Sequence, residues 1–289
     1  MTESDAHRDL LFSQPWFSHA ALTGFNDLLT QRYGFAAEKE KNIVKRTLLE
    51  LLERQRDGRG AQYSDLLDFF VFCYPRLSES SSQILQDLWV LYMLNEKSEG
   101  YFVEFGACDG LVLSNTKLLE AHYSWSGILA EPAPCWHDDL RRNRTCTIST
   151  DCVAGSSGEQ VSFMSVENMP ELSRVEDCVP DDVHEKNGNR SVNTKVLVPT
   201  ITLADLLRRQ HAPDIIDYLS VDTEGSEYEI LKVFDFDEFT FRLITVEHAG
   251  EQKKRENIRT LLEGQGYVRW DTDLSRWDDW YFHPESLRV

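Results

Sequence analysis

The chain has 289 residues, and its 30 basic against 49 acidic side chains leave a formal charge of −19. That balance excludes nucleic-acid phosphate or an anionic membrane surface as the main partner, although one local basic patch could still serve a nucleotide-linked ligand. Hydrophobic residues at 41% and aromatic ones at 11% supply a sizeable core and exclude wholesale disorder.

The first 80 residues carry helical spacing and no strand alternation. Ile43, Val44, Thr47, Leu48, Leu51 and Leu52 recur at helical intervals before Gly58 and Gly60. "YSDLLDFFVFCYP" follows, with Ser64 as its cap and Pro75 as its stop. Residues 1–80 are therefore expected to form a helical extension. It would pack on the main domain or on a second subunit in a homo-oligomer, with a substrate lid as the other option. The opening "MTESDAHRDLLFSQPWF" lacks a basic segment followed by an apolar one, so no secretion leader is expected. No apolar run approaches the ~20 residues of a membrane helix. The six cysteines (Cys73, Cys108, Cys135, Cys146, Cys152 and Cys178) show no CxxC spacing and are expected as reduced thiols in a cytoplasmic protein.

Residues 81–289 alternate between short apolar runs and amphipathic stretches. Strands are expected at 101–106, 127–131, 146–153, 216–222, 242–247, 266–270 and 279–282. Helices are expected at 82–94, 114–122, 134–142, 202–210, 226–234 and 253–264. That order implies an α/β domain, a largely parallel sheet with helices on both faces. The long irregular stretch at about 155–200 reads as a functional loop or a hairpin insertion.

Ligands of such sheets sit beyond the carboxyl ends of the strands, near the topological switch point. The first strand ends in "FVEFGACDGLVLSNTKLLE", where Gly106 lets a ligand lie against the backbone. Ser114, Asn115 and Thr116 follow at a helix N-terminus rich in free N–H groups. Cys108 occupies the middle glycine position of GxGxxG, which counts against a pyrophosphate cradle and NAD. The second strand ends in "GILAEPAP", whose Glu131 can accept from two vicinal ribose hydroxyls. The third ends in "DCVAGSSG", where Asp151 and the Cys152–Val153 backbone suit the edge of an adenine ring.

Three such strand ends in order, with "SQILQDLWVL", "ITLADLL", "IDYLSVDTEGSEYEIL", "ITVEH" and "DDWYF", resemble the FkbM family of S-adenosylmethionine-dependent methyltransferases. The likeness spans residues 82–282 and is nearest to a branch met among bacterial surface-glycan genes. It implies a Rossmann-like class I methyltransferase fold, with a seven-stranded sheet whose last strand is antiparallel. It also implies that the Gly106 turn admits the methionine moiety of the cofactor, with Glu104 near its ammonium group. Asp109 would face the methionine or ribose and Glu131 would hold the ribose. Gly110 and Pro132, in the same turns, are counted with these cofactor residues.

At the fourth and fifth strand ends, Asp222 can orient a substrate hydroxyl, hold a divalent cation or bond the cofactor's amine. Glu224 and Glu227 are candidate substrate contacts, Glu227 with capping of its own helix as the alternative. "LITVEHAG" places Glu247 beside His248, whose neutral imidazole can take a proton from a hydroxyl. In the resembling branch the triplet is Glu-His-Asn, whereas Ala249 stands third here. Asp222, Glu247 and His248 are the candidate ligands for Mg²⁺ or a similar cation. In "SRWDDWYF", Asp279 and Trp280 are candidates for a sugar-binding surface, with a core role as the alternative. Gln83, Gln86 and Asp87 would reach the same cleft.

The expected activity is methyl transfer from S-adenosylmethionine to a hydroxyl oxygen of a sugar, glycan precursor or other small acceptor, with His248 as base and Asp222 orienting it. A catalytically silent methyltransferase-like binding protein would bind cofactor without turnover. An NAD-dependent nucleotide-sugar enzyme would bind nicotinamide cofactor instead.

Overall fold

The computed structural model describes residues 68–69, 72–73, 76–270 and 275–287. The chain divides into two compact units, Met1–Ser80 and Ser81–Val289. The helices expected before residue 68, and the subunit contact expected of them, lie outside the described residues.

The second unit runs α1 (Gln86–Met93), β1 (Tyr101–Phe105), α2 (Lys117–Tyr123), β2 (Ser126–Ala130), α3 (His137–Asn143), β3 (Thr147–Ser149), β4 (Cys152–Val153), β5 (Gln160–Val166) and β6 (Arg174–Val175). It continues with α4 (Val183–Lys186), β7 (Asn193–Ile201), α5 (Leu203–Arg209), β8 (Ile215–Val221), α6 (Glu227–Leu231), β9 (Thr240–Glu247), α7 (Gln252–Gly264), β10 (Val268–Arg269) and β11 (Asp278–Phe282). The main sheet has the order β10-β11-β9-β8-β1-β2-β3. Its strands from β9 to β3 pair in parallel, while β11 runs antiparallel to β9 and to β10. This is the expected class I methyltransferase fold. The chain winds outward from β1 to β3 and then returns to β8, so β1 and β8 flank the switch point.

The central strands "YFVEF" and "IIDYLSV" are near-continuous apolar runs because helices cover both sheet faces. Val103, Phe105, Leu219 and Val221 share one buried cluster with Leu206 of α5, Ile230 of α6 and Ile258 of α7. Thr202 starts α5 by accepting the Asp205 N–H at 3.2 Å. On α1, Trp89 packs 5.2 Å from Trp280 of β11, which in turn stacks on Trp270 at 5.6 Å with ring planes 2° apart.

One expectation changes, and one open choice is decided. The strand expected at 146–153 is two strands, because the chain leaves the main sheet after Ser149 and joins a second sheet at Cys152. The long stretch at 155–200 is largely a hairpin, as its second reading had it. β5 and β7 pair antiparallel from Gln160↔Pro199 to Val166↔Asn193, within a sheet of order β4-β7-β5-β6. Phe163 and Val198 pack there against Ala133 and Cys152, which holds the hairpin next to the β2 strand end. Residues 167–192 form an excursion between its arms.

Candidate active site

Gly106 is glycine for a reason the sequence did not show. Its φ is +72°, and a Cβ there would overlap the Asp222 carbonyl oxygen. The group that comes close is the end of β8, so the β1 turn and Asp222 are in direct backbone contact across the switch point.

The polar groups around that turn point inward. Glu104 is 3% exposed and accepts from the Asn115 N–H at 2.8 Å, Thr116 Oγ1 at 2.5 Å and Ser114 Oγ at 3.1 Å. Arg144, on the loop after α3, lies 3.7 Å from the same carboxylate and also bonds Ser114 and Thr116. Glu104 thus ties the entry of α2 to β1, and the hydroxyls of Ser114 and Thr116 are turned to it rather than to a ligand. Asn115 Nδ2 donates to Ser220 of β8 at 2.9 Å, and its buried Oδ1 has no partner. Asp109 Oδ1 accepts the Leu111 and Val112 N–H groups, closing a tight turn. Gly110 has φ +75°, and a Cβ would collide with the Arg144 and Leu140 side chains.

Glu131 sits at the end of β2, 4% exposed, and accepts the Cys108 N–H at 2.9 Å and the Ala133 N–H at 2.8 Å. Burial pushes its carboxyl up to about 7 against the pull of those two bonds. Pro132 beside it is half-buried. Asp151 pairs with Arg209 at 2.5 Å. Cys152 and Val153 enter the ladder with Thr200 and Ile201, so part of the backbone expected to face adenine is committed to strand pairing.

At the ends of β8 and β9 the acids face one another. Asp222, Glu224 and Glu247 each bring a carboxylate oxygen within 4.8 Å of the others. Burial raises Asp222 to about 6, with the Glu227 charge adding to it. Burial and the Asp222 charge raise Glu247 well above the carboxylate range, and its buried Oε2 has no partner. Glu224 is pushed up to about 8 by burial and by Asp222, more than the neighbouring Arg190 draws it down. These oxygens are hard donors at the spacing of a small dication's shell, so the residues fit such an ion.

Several expected site residues do other work. Glu227 is fully buried; its Oε1 accepts from Thr223 and Gly225 N–H, and its Oε2 pairs with Lys254 at 3.0 Å. It closes the 222–226 turn, and both of its carboxylate oxygens are engaged within the protein. His248 is 2% exposed, its Nδ1 accepts the Gly250 N–H at 3.0 Å, and burial lowers its pKa to about 4. A neutral ring with Nδ1 so occupied carries its proton on Nε2, which leaves no lone pair for a base. It is also absent from the carboxylate group, where Glu224 takes the place expected of it as a ligand. Asp279 is held by Arg255 at 2.7 and 2.8 Å, and Trp280 is wholly buried in the tryptophan stack. Both belong to the core, because β11 is covered on both faces and flanked by two strands. Trp277, just before it, accepts the His248 and Ala249 N–H groups on its carbonyl and donates from Nε1 to Gln83 at 3.1 Å. Gln86 reaches Asp278 at 2.9 Å. Asp87 turns the other way and caps the Ser81–Ser82 backbone.

Two cations were missed. Lys254, in the first turn of α7, is the counter-charge to Glu227 and Glu251, and its pKa is raised by Glu227 and Glu247 against burial. Arg190 comes from the excursion and pairs with Glu224. Neither stands in a motif; only a buried basic side chain opposite an acid cluster marks them.

A family model described as Methyltransferase FkbM domain matches residues 104–269. Methyltransferase sdnD of Sordaria araneosa is 29% identical over 201 residues, covering 60% of this chain and 75% of that one. Among solved structures, the precorrin-6y C5,15-methyltransferase of Geobacter metallireducens GS-15 is 12% identical with a TM-score of 0.35, over 68% of this chain and 86% of that one. The human methyltransferase 10 domain containing protein is also 12% identical, with a TM-score of 0.36 over 76% of this chain and 95% of that one. Those scores are too low to bear on substrate or mechanism.

Proposed function

The chain belongs to the FkbM methyltransferase domain family, which implies use of S-adenosylmethionine, and from that premise we propose an O-methyltransferase whose acceptor is a hydroxyl of a sugar or glycan precursor. The observation that carries the reading is the contact between the Gly106 turn and Asp222, which sets the cofactor side of the cleft directly against the crowded carboxylates of β8 and β9. When bound, S-adenosylmethionine supplies an electrophilic methyl group on a sulfonium. Glu131 holds the ribose with the acceptor capacity its two backbone bonds leave unused. The Asn115 Oδ1 supplies a further acceptor at the switch point. Asp222 takes the acceptor's proton, being ionised above about pH 6, while Glu247 stays neutral and shares a proton with it. His248 keeps a supporting role under the β9 turn. A divalent cation such as Mg²⁺ on Asp222, Glu224 and Glu247 is part of this reading, and would replace the shared proton. A cytoplasmic location is supported by the free cysteines. No helix among the described residues is long and apolar enough to cross a membrane.

Calorimetry tests the cofactor half. S-adenosylhomocysteine should bind in the micromolar range, and Glu131→Ala should weaken it by roughly 30- to 1000-fold, the equivalent of ~2–4 kcal/mol for two hydrogen bonds to a charged acceptor. Tight NADH binding in its place would sink the assignment. Transfer of labelled methyl to a panel of glycosides, with and without chelator, tests the acceptor and the cation.

A further inference from the structure

The excursion of residues 167–192 meets the 222–226 turn at two points. Arg190, 3% exposed, donates from Nε to the Leu172 carbonyl at 3.1 Å and from Nη1 and Nη2 to Asp182 at 2.9 and 2.8 Å. The same Nη2 pairs with Glu224. Beside it, the Cys178 carbonyl presses on Gly225, where φ is +129° and a Cβ would stand 2.8 Å from that oxygen. The base of the hairpin is anchored at Ala133, two residues from Glu131. The insertion therefore spans from the β2 strand end to the β8 strand end.

We propose that the excursion covers the acceptor side of the carboxylate group, and that Arg190 is the positioning residue that latches it to Glu224. The acceptor side is defined by the methyl-transfer reading; the latch does not depend on it. Three acceptors arranged around one planar fork require a guanidinium, since an ammonium presents no such plane. Asp182 and Leu172 belong to the excursion and move with Arg190, whereas Glu224 belongs to the β8 turn. Opening then parts the Arg190–Glu224 bond and one backbone contact and leaves the cover folded.

Limited proteolysis of the full chain without ligand reads the latch, because Asn187 and Gly188 are exposed in the excursion. Arg190→Gln also strips Asp182 and Leu172 and can disorder the excursion itself, so Glu224→Gln is the decisive variant. Cleavage in Asn187–Asn189 should rise ~10-fold or more in Glu224→Gln while the main thermal transition stays in place. Arg190→Lys should fall between wild type and Arg190→Gln, and should bind S-adenosylhomocysteine as wild type does. Wild-type cleavage in Glu224→Gln, or collapse of its whole melting transition, overturns the latch. A tenfold loss of S-adenosylhomocysteine affinity in Arg190→Lys overturns the acceptor-side placement. Failure of wild type to bind that probe overturns the methyl-transfer reading, and with it the acceptor-side placement, while the cleavage rates still decide the latch.

Discussion

Glu104 and Asp222 end adjacent strands of one sheet, yet their surroundings are opposite. The Glu104 carboxylate is met by a backbone N–H, two hydroxyls and a nearby guanidinium. The Asp222 carboxylate is met by Glu224 and Glu247. A buried acid surrounded by donors is a fastener, and its removal costs stability. A buried acid surrounded by acids raises its own pKa and holds a proton or a cation, which is a use rather than a support. The two banks of the cleft divide framework from chemistry by the partners around a carboxylate, not by residue type.

The largest effect should come from the chemical bank. Asp222→Asn should lower methyl transfer by ~10²–10⁴-fold, the range of a positioned base. Adding Glu247→Gln should cost little more if the two act as a unit. His248→Ala should stay within ~10-fold, and a loss as large as that of Asp222→Asn would return the base to the imidazole. In wild type, turnover should climb as pH rises through about 6, where Asp222 ionises.

The framework bank should respond in stability. Glu104→Gln turns an amide toward the Asn115 N–H and the Ser114 and Thr116 hydroxyls and should cost about 1–3 kcal/mol in urea unfolding, while Arg144 keeps its pair with Glu120. Unchanged stability would remove the contrast between the banks.

A smaller, graded effect follows from the raised acids. Asp222 and Glu131 have folded pKa values of about 6 and 7, above the ~4 of an unfolded carboxylate. Between those limits the native state holds more protons than the unfolded one, so stability falls as pH rises. Each group contributes at most ~1.4 kcal/mol per pH unit inside its window. Melting temperature should therefore drop from pH 5 to pH 7, less steeply below about 6.5, where the depressed His248 works the other way, and a bound dication should flatten the drop. A rise over that range would contradict the crowding of Asp222 and Glu247.

The sheet was legible because each strand and helix announces itself by local period, and "FVEFGACDG", "GILAEP" and "YLSVDTEG" sit where the fold puts its strand ends. What a side chain faces was far less legible. The Gly106 contact joins positions 116 residues apart in the chain, and no local pattern encodes that the approaching atom is the Asp222 carbonyl. Trp280 and Asp279 read as a sugar surface because aromatic rings beside carboxylates suit one, and the local sequence does not tell a covered last strand from an open one. Glu224 was placed at the site, but Arg190 sits in an irregular stretch whose hairpin pairing, Gln160 to Pro199, is long-range. His248 carried a strong chemical signature that one backbone bond from Gly250 cancels.

The tryptophan stack at the antiparallel edge has an optical consequence. Trp270 and Trp280 lie 5.6 Å apart with ring planes 2° from parallel, and Trp89 stands 5.2 Å from Trp280. Indoles this close couple the transition dipoles of their strong short-wavelength band, so the trio should give a circular dichroism couplet that vanishes when β11 leaves the sheet. The protein thereby carries its own label-free reporter for β11, the strand antiparallel to its neighbours in the main sheet.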